Sequence, residues 1–161
     1  AAAYAGFRHL GSTEDVSKPL GAAKAKLIED LTSARCYGDT RDWKQWCDQI
    51  PGDIDYLKSG QPCTDYASLG KRQGRHGSKG GDLYLLQVET ILHLQPKIIN
   101  LEMVPTAIET NDGYEVQWVI DNLSTMYHIN PDILNCWEYG DVSARQRLIL
   151  IGLRKDLFQG Y

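Results

Sequence analysis

Several features that would settle a class at once are missing from these 161 residues. No run approaches the roughly 18 apolar residues that a membrane-spanning helix needs. No basic start followed by an apolar centre marks a secretory leader. Positive charge is not in excess: 17 Lys and Arg stand against 21 Asp and Glu, a formal net charge of −4. A chain whose whole surface grips nucleic acid carries the opposite balance, because phosphate contacts supply much of the affinity. Cysteine is sparse. Cys36, Cys47, Cys63 and Cys136 are far apart and form no C-x-x-C pair. That argues against a zinc site, whose ligands come in close pairs, and against a disulfide framework. Free thiols in a reducing compartment, and no metal, are expected. Repeats and low-complexity tracts are absent from the sequence too. The chain does not begin with Met, and Ala1-Ala2-Ala3 reads as the interior of something longer.

What is present suits a soluble domain with a proper core: 42% of residues are hydrophobic and 24% charged, ordinary values for globular proteins. The acidic balance has a local exception. Lys71, Arg72, Arg75, His76 and Lys79 crowd into residues 70–81, a Gly-rich stretch with the composition of a loop.

Helix and strand signals alternate along the chain. Residues 19–32 have helical spacing in Leu20, Lys24, Leu27 and Leu31, with Ser17 as a candidate cap. A short strand is expected over 34–39, ending in Gly38-Asp39, then a short helix over 42–49 stopped by Pro51 and Gly52. Residues 54–59 read as a strand running into the loop Gly60-Gln61-Pro62-Cys63. Residues 82–94 form the clearest helix, with Leu83, Leu86, Val88, Ile91 and Leu94 on a broad apolar face. A buried strand over 97–101 ends in Glu102, and a helix covers 113–126. A strand over 128–134 is weakened by Pro131, and RLILIGL over 147–153 closes the pattern. Such alternation predicts an α/β fold, a mostly parallel sheet with helices on both faces. Ligands gather beyond the carboxyl ends of strands in these folds. That rule selects Asp39, the Pro62-Cys63 turn and Glu102.

Three sets of side chains could do chemistry. A lone cysteine is ordinarily a small buried apolar residue, but Cys63 follows Pro62 in a tight loop after a strand, where a thiol of lowered pKa could act as a nucleophile. Glu102 ends an apolar run. A carboxylate there is costly unless it is paired or solvated in a cleft, and a surface Glu just past the strand is the plain alternative. Adjacent parallel strands joined by one helix would bring the Cys63 and Glu102 loops to one sheet edge. Arg145 and Arg147 enter the last strand as an R-x-R pair, placed on one face by the period of two. Arginines often flank strands on a surface, and two guanidinium forks on one face also suit a carboxylate or a phosphate.

Taken in order, Pro62-Cys63, Leu101-Glu102-Met103-Val104 and Arg145-x-Arg147 before an apolar strand resemble the motifs of the DNA cytosine-5 methyltransferase family. The segment GQPCTDYASLGKRQG over 60–74 resembles that family's catalytic loop, including Gly70, Lys71 and Gly74. Leu134-Asn135, Tyr139-Gly140 and RQRLILIG over 145–152 resemble the stretch around its arginine motif. Ala5-Gly6-Phe7-Arg8 resembles the end of its cofactor-binding glycine motif, and Gly38-Asp39 its Gly-Asp cofactor contact. The chain departs from the pattern at Ala3 and Ala5, where glycines are usual, at Ala67 (Ser), Met103 (Asn) and Ser143 (Gln).

The resemblance implies a Rossmann-like, S-adenosylmethionine-dependent methyltransferase sheet, represented as a partial catalytic domain over 1–161 without the target recognition domain. It implies methyl transfer to carbon 5 of a cytosine flipped out of double-stranded DNA. Cys63 would add to carbon 6, Glu102 would meet N3 and the exocyclic amine, and Arg145 and Arg147 would hold the base or the Glu. Phe7, Glu14, Asp39 and Pro62 would line the cofactor, with Asp15 as good as Glu14 for the ribose. Lys71, Arg72, Arg75 and Lys79 would meet DNA phosphates. An intracellular setting follows: the cytoplasm of a prokaryote or virus-infected cell, or a nucleus. The tRNA branch of the family and a non-catalytic, methyltransferase-like binding module are the alternatives.

Overall fold

Apolar alternation and short connections build the larger part of the fold. In β4 (Ile98–Met103) Ile99, Leu101 and Met103 are buried, and their neighbours turn to the other face. In β6 (Gln146–Arg154) Leu148, Leu150 and Gly152 do the same. The two strands pair antiparallel with Leu101 opposite Leu150 and Met103 opposite Leu148, so one sheet face is continuous apolar surface. The helices α3 (Asp82–Leu94) and α4 (Tyr114–Leu123) supply Tyr84, Val88 and Ile91, and Val116, Val119 and Leu123, to the same core cluster. Gly152 is small for a reason: a Cβ there would stand 2.5 Å from the Ile99 side chain.

This computed structural model describes residues 6–50, 52–61, 66, 76 and 81–159. The chain divides into two compact units, Ala1–Gly52 and Asp53–Tyr161. In the second, the sheet order is β3-β4-β6-β5, with β3 at Tyr56–Gly60 and β5 at Tyr127–Asn135. Only the β3–β4 pair is parallel. The β4–β6 and β6–β5 pairs are antiparallel. The sheet is therefore mixed: β3, β4 and β5 run in one direction, as a mostly parallel sheet would have them, and β6 runs against them, which corrects the expectation for the closing strand. The reason lies between β5 and β6: a single short 3-10 helix (Cys136–Tyr139) and a turn connect them, and a parallel pair would need a crossover of a dozen or more residues. Pro131 is tolerated because β5 is an edge strand, where a missing N–H need not break a ladder. Glu102 does not end β4. It stands one residue inside it.

In the first unit, β1 (Gly11–Ser12) and β2 (Arg35–Cys36) are parallel and joined by α1 (Pro19–Thr32), and the short helix α2 (Trp43–Trp46) follows β2. The helix has the expected bounds, but its buried residues are Gly21 and Ala25, while Leu20, Leu27 and Leu31 are exposed. Gly21 permits close approach, since a Cβ there would fall 2.0 Å from the Asp15 carbonyl oxygen. Ser17 does not cap α1: the N-cap is Lys18, with Pro19 starting the helix, and the Ser17 hydroxyl donates to the Asp15 carboxylate instead. No helix among the described residues is long and apolar enough to cross a membrane.

Candidate active site

In the second unit the sheet itself assembles a carboxylate–arginine cluster. Glu102 lies on the β4 face opposite the helices, with 27% of its side chain exposed. Its register partner on β6 is Ile149, so Arg147 stands two residues along on the same face. The Arg147 Nε donates to Glu102 Oε1 at 3.0 Å, and Arg145 Nη2 reaches the same oxygen at 3.5 Å. Arg147 is the better held, with 21% of its side chain exposed against 56% for Arg145, and its Nη1 also donates to the Gln146 carbonyl. Both guanidiniums therefore engage one carboxylate oxygen.

The other oxygen faces β3. Gly60 is in parallel register with Glu102, and a Cβ built on Gly60 would lie 3.4 Å from Glu102 Oε2. Among the described residues no hydrogen-bond donor meets that oxygen. The strand that leads to Pro62-Cys63 thus ends against the free side of the acid. Pro62 and Cys63 lie outside the described residues, as do Lys71, Arg72, Arg75 and Lys79. The importance of Gly60 was not singled out by the sequence, although equal spacing along two parallel strands would have pointed to it.

The first unit gathers a pair of carboxylates, Glu14 and Asp39, at the carboxyl ends of its strands. The backbone N–H of Glu14 donates to Gly38 O at 2.8 Å, and Tyr37 N donates to Ser12 O at 2.9 Å. Gly38 takes φ +94, a left-handed turn that suits glycine, and delivers Asp39 beside Glu14. Asp39 Oδ1 accepts from the Arg41 N–H at 2.8 Å, and the Trp46 indole donates to the Asp39 carbonyl at 3.1 Å. The Lys24 ammonium lies 3.9 Å from Glu14. Asp15 is committed elsewhere. Lys18 at 2.7 Å and Ser17 hold its carboxyl below the ordinary value, which leaves Glu14 as the stronger ligand candidate. Phe7 precedes β1 and is exposed.

These residues fit the nucleoside end of an adenosyl cofactor. Two acids stand past neighbouring parallel strands, where hydroxyls and an exocyclic amine could be accepted, and the buried Ser12 hydroxyl beside them has no partner among the described residues. Cys47, by contrast, is a buried thiol pushed up to about 11 by burial and is inert.

Residues 24–159 match the family described as C-5 cytosine-specific DNA methylase. The chain belongs to this family. The Type II methyltransferase M.BbvI of Brevibacillus brevis is 30% identical over 139 residues, covering 83% of this chain and 37% of that protein. M.Sau96I of Staphylococcus aureus is 30% identical over 109 residues, covering 67% and 25%. The chain therefore spans about a quarter to somewhat over a third of the length of these curated relatives. A crystal structure described as a DNA modification methyltransferase encoded within an E. coli prophage superposes with a TM-score of 0.74 at 22% identity, over 97% of this chain and 43% of that one. At that identity the likeness is one of fold.

Within the C-5 methylase family, two departures of this chain acquire a physical setting. Met103, next to the acid, points away from it into the core cluster and is buried. A long apolar side chain there fills core volume rather than the site. Ser143 is exposed, and its N–H donates to Asp141 at 3.0 Å in the turn before Arg145. Ala3, Ala5 and Ala67 lie outside the described residues.

Proposed function

We propose that this chain carries the base-activating machinery of a DNA cytosine-5 methyltransferase, with Cys63 as nucleophile and Glu102 as the acid that meets the cytosine. One observation carries the reading: the Gly60–Glu102 register, which sets the approach to Cys63 against the side of Glu102 that the arginines leave open.

The chemistry explains why each residue type is needed. Carbon 5 of cytosine is a weak nucleophile. A thiolate on Cys63 forms a C–S bond at carbon 6, and the ring electrons move toward N3. A proton held between Glu102 and N3 neutralises that charge, leaving an enamine whose carbon 5 can attack. Arg145 and Arg147 fix Oε1, so the remaining oxygen is aimed at the base rather than free to rotate. Loss of the carbon 5 proton and expulsion of the thiolate restore the aromatic ring. S-adenosylmethionine supplies the electrophilic methyl group when bound. Glu14 and Asp39 would bind its ribose hydroxyls and adenine amine, and Phe7 and Pro62 are the further candidates for cofactor binding. Lys71, Arg72, Arg75 and Lys79 meet phosphates of double-stranded DNA, and the target base is taken out of the helix because the thiol cannot reach carbon 6 in a stacked pair.

The test uses the complete open reading frame that carries this chain, radiolabelled S-adenosylmethionine and a duplex containing 5-fluorocytosine. That base permits thiol addition and methyl transfer but blocks release of the enzyme. A labelled covalent complex that vanishes in Cys63→Ser supports both nucleophile and reaction. A complex formed only with fluorocytosine-bearing tRNA moves the substrate to RNA, and no complex with either overturns the reading.

A further inference from the structure

Each acid of the first unit has a threonine beside it in the chain. Glu14 comes directly after Thr13, and Asp39 directly before Thr40. The two threonine hydroxyls are bonded to each other, Oγ1 to Oγ1 at 2.9 Å and partly buried, and either can be the donor. The bond joins residues 27 apart in sequence, so it ties one loop to another rather than finishing a local turn. Its place in the fold gives it a task. Up to Gly38 the chain that leaves β2 follows the chain that leaves β1 through backbone bonds: the Tyr37 N–H donates to the Ser12 carbonyl at 2.9 Å, and the Glu14 N–H to the Gly38 carbonyl at 2.8 Å. At Gly38 the backbone turns left-handed and leaves that ladder. Asp39 then caps the 3-10 helix Thr40–Asp42, its carboxylate accepting the Arg41 N–H at 2.8 Å. That contact fixes Asp39 within its own turn. The hydroxyl pair connects the turn back to the residue next to Glu14.

We propose that Thr13 and Thr40 are positioning residues for the methyl donor: their hydroxyl pair sets the spacing between Glu14 and Asp39, so that one nucleoside meets both. The proposal rests on the reading of these acids as the acceptors for ribose and adenine. A nucleoside is a short, stiff spacer between its ribose hydroxyls and its exocyclic amine. It engages two acceptors at once only when their separation matches its own. Acceptors held at that separation before binding lose less freedom on binding, which is the gain from preorganisation. The pair fixes spacing and leaves the direction of each carboxylate to its own turn. Its effect on affinity therefore depends on both acids being present, whereas a general loss of packing would weaken binding whether or not Glu14 is there.

The experiment measures S-adenosylmethionine binding by calorimetry in the complete open reading frame that carries this chain, with urea denaturation giving the folded fraction of each protein. It compares wild type, Thr40→Val, which keeps the shape and deletes the hydroxyl, Thr40→Ser, which restores it, Thr13→Val, Glu14→Ala and the double variant Glu14→Ala/Thr40→Val. Thr40→Val should weaken binding about fivefold, the weight of one hydrogen bond. Thr13→Val should match it, because it deletes the same bond, and Thr40→Ser should stay within about twofold of wild type. On the Glu14→Ala background the added cost of Thr40→Val should shrink below about twofold, the mark of two residues acting through one arrangement. Wild-type affinity in both valine variants, a loss shared by the serine variant, an undiminished cost on the Glu14→Ala background, or a loss fully accounted for by a lower folded fraction would each overturn the proposal. Wild type that binds no S-adenosylmethionine, or Glu14→Ala that binds it as wild type does, removes the cofactor reading and the proposal with it. Wild type that binds, with Glu14→Ala weakened and both valine variants unchanged, removes the proposal alone.

Discussion

Glu102 stands inside a six-residue strand with ladder partners on both sides, and two arginines from a neighbouring strand hold one of its oxygens. Glu14 and Asp39 stand past strands of two residues each, positioned by turns and by a backbone hydrogen bond from the Glu14 N–H to the Gly38 carbonyl. The first arrangement fixes direction and the second supplies acceptors. A carboxylate whose proton must arrive along one line as a C–S bond forms needs the first. Carboxylates that only bind hydroxyls and an amine tolerate the second. The comparison implies that damage to the two regions should appear in different kinetic constants.

The largest effect is expected from Glu102→Gln, which keeps the shape and removes the acid. Turnover should fall by about 10²–10⁴, the usual weight of a general acid, with S-adenosylmethionine affinity unchanged. Glu14→Ala should do the reverse, weakening cofactor binding by about 10- to 100-fold, the weight of hydrogen bonds to a charged group, with kcat preserved at saturation. Calorimetric binding and steady-state kinetics on the same proteins decide it, and equal loss of kcat in both variants would erase the distinction.

Within the rigid cluster the two arginines should separate. Arg147 is closer to Glu102 and less exposed than Arg145. Arg147→Ala leaves a half-buried carboxylate without its main partner and should cost about 100-fold in turnover. Arg145→Ala should cost less than about tenfold, since exposed pairs contribute little. If Arg145 proves the more important, it contacts the substrate rather than the acid.

The same contrast runs through the packing, and it shows what the sequence could and could not tell. The helix bounds of α1 and α3 follow from spacing and terminators alone, and so do the positions of β3 to β6 to within two residues, whereas β1 was not read from the sequence and β2 is shorter than the expected 34–39. The arginine pair and the acid also declare themselves, because period two puts them on one face. Strand direction was less readable. Nothing local distinguishes a parallel from an antiparallel neighbour, and only the lack of a helix between β5 and β6 hints at it. The leucine spacing that marks α1 as a helix does not mark its buried face: the helix packs through Gly21 and Ala25, and Leu20, Leu27 and Leu31 are exposed. The Thr13–Thr40 bond joins residues 27 apart with no periodic signature. Accordingly Leu150→Ala, in the sheet core, should destabilise by about 2–5 kcal/mol, and Leu27→Ala, on the exposed stripe, by less than about 0.5 kcal/mol. Urea denaturation measures both.

The smallest expected effect is a difference in alkaline stability, and each unit carries its own reporter. Burial pushes the Cys47 thiol of the first unit up to about 11, from 9.0. Burial pushes the Tyr127 phenol of the second up to about 12, from 10.0, while its hydroxyl donates to the Pro96 carbonyl. Both folded values are raised, so each group contributes stability that is complete below its unfolded value and is lost as pH rises through its folded value. The first unit should therefore weaken between pH 9 and 11 and the second between pH 10 and 12, each by on the order of 1 kcal/mol per pH unit. Trp43 and Trp46 report the first unit, and Trp118 and Trp137 the second, so single-region tryptophan variants can follow each separately. Other groups titrate in the same range, and Cys47→Ala and Tyr127→Phe isolate the two contributions. Cys47→Ala should flatten only the earlier loss and Tyr127→Phe only the later one. A common midpoint that neither substitution shifts would mean that the two units unfold as one and that burial of these groups carries no pH-dependent stability of its own.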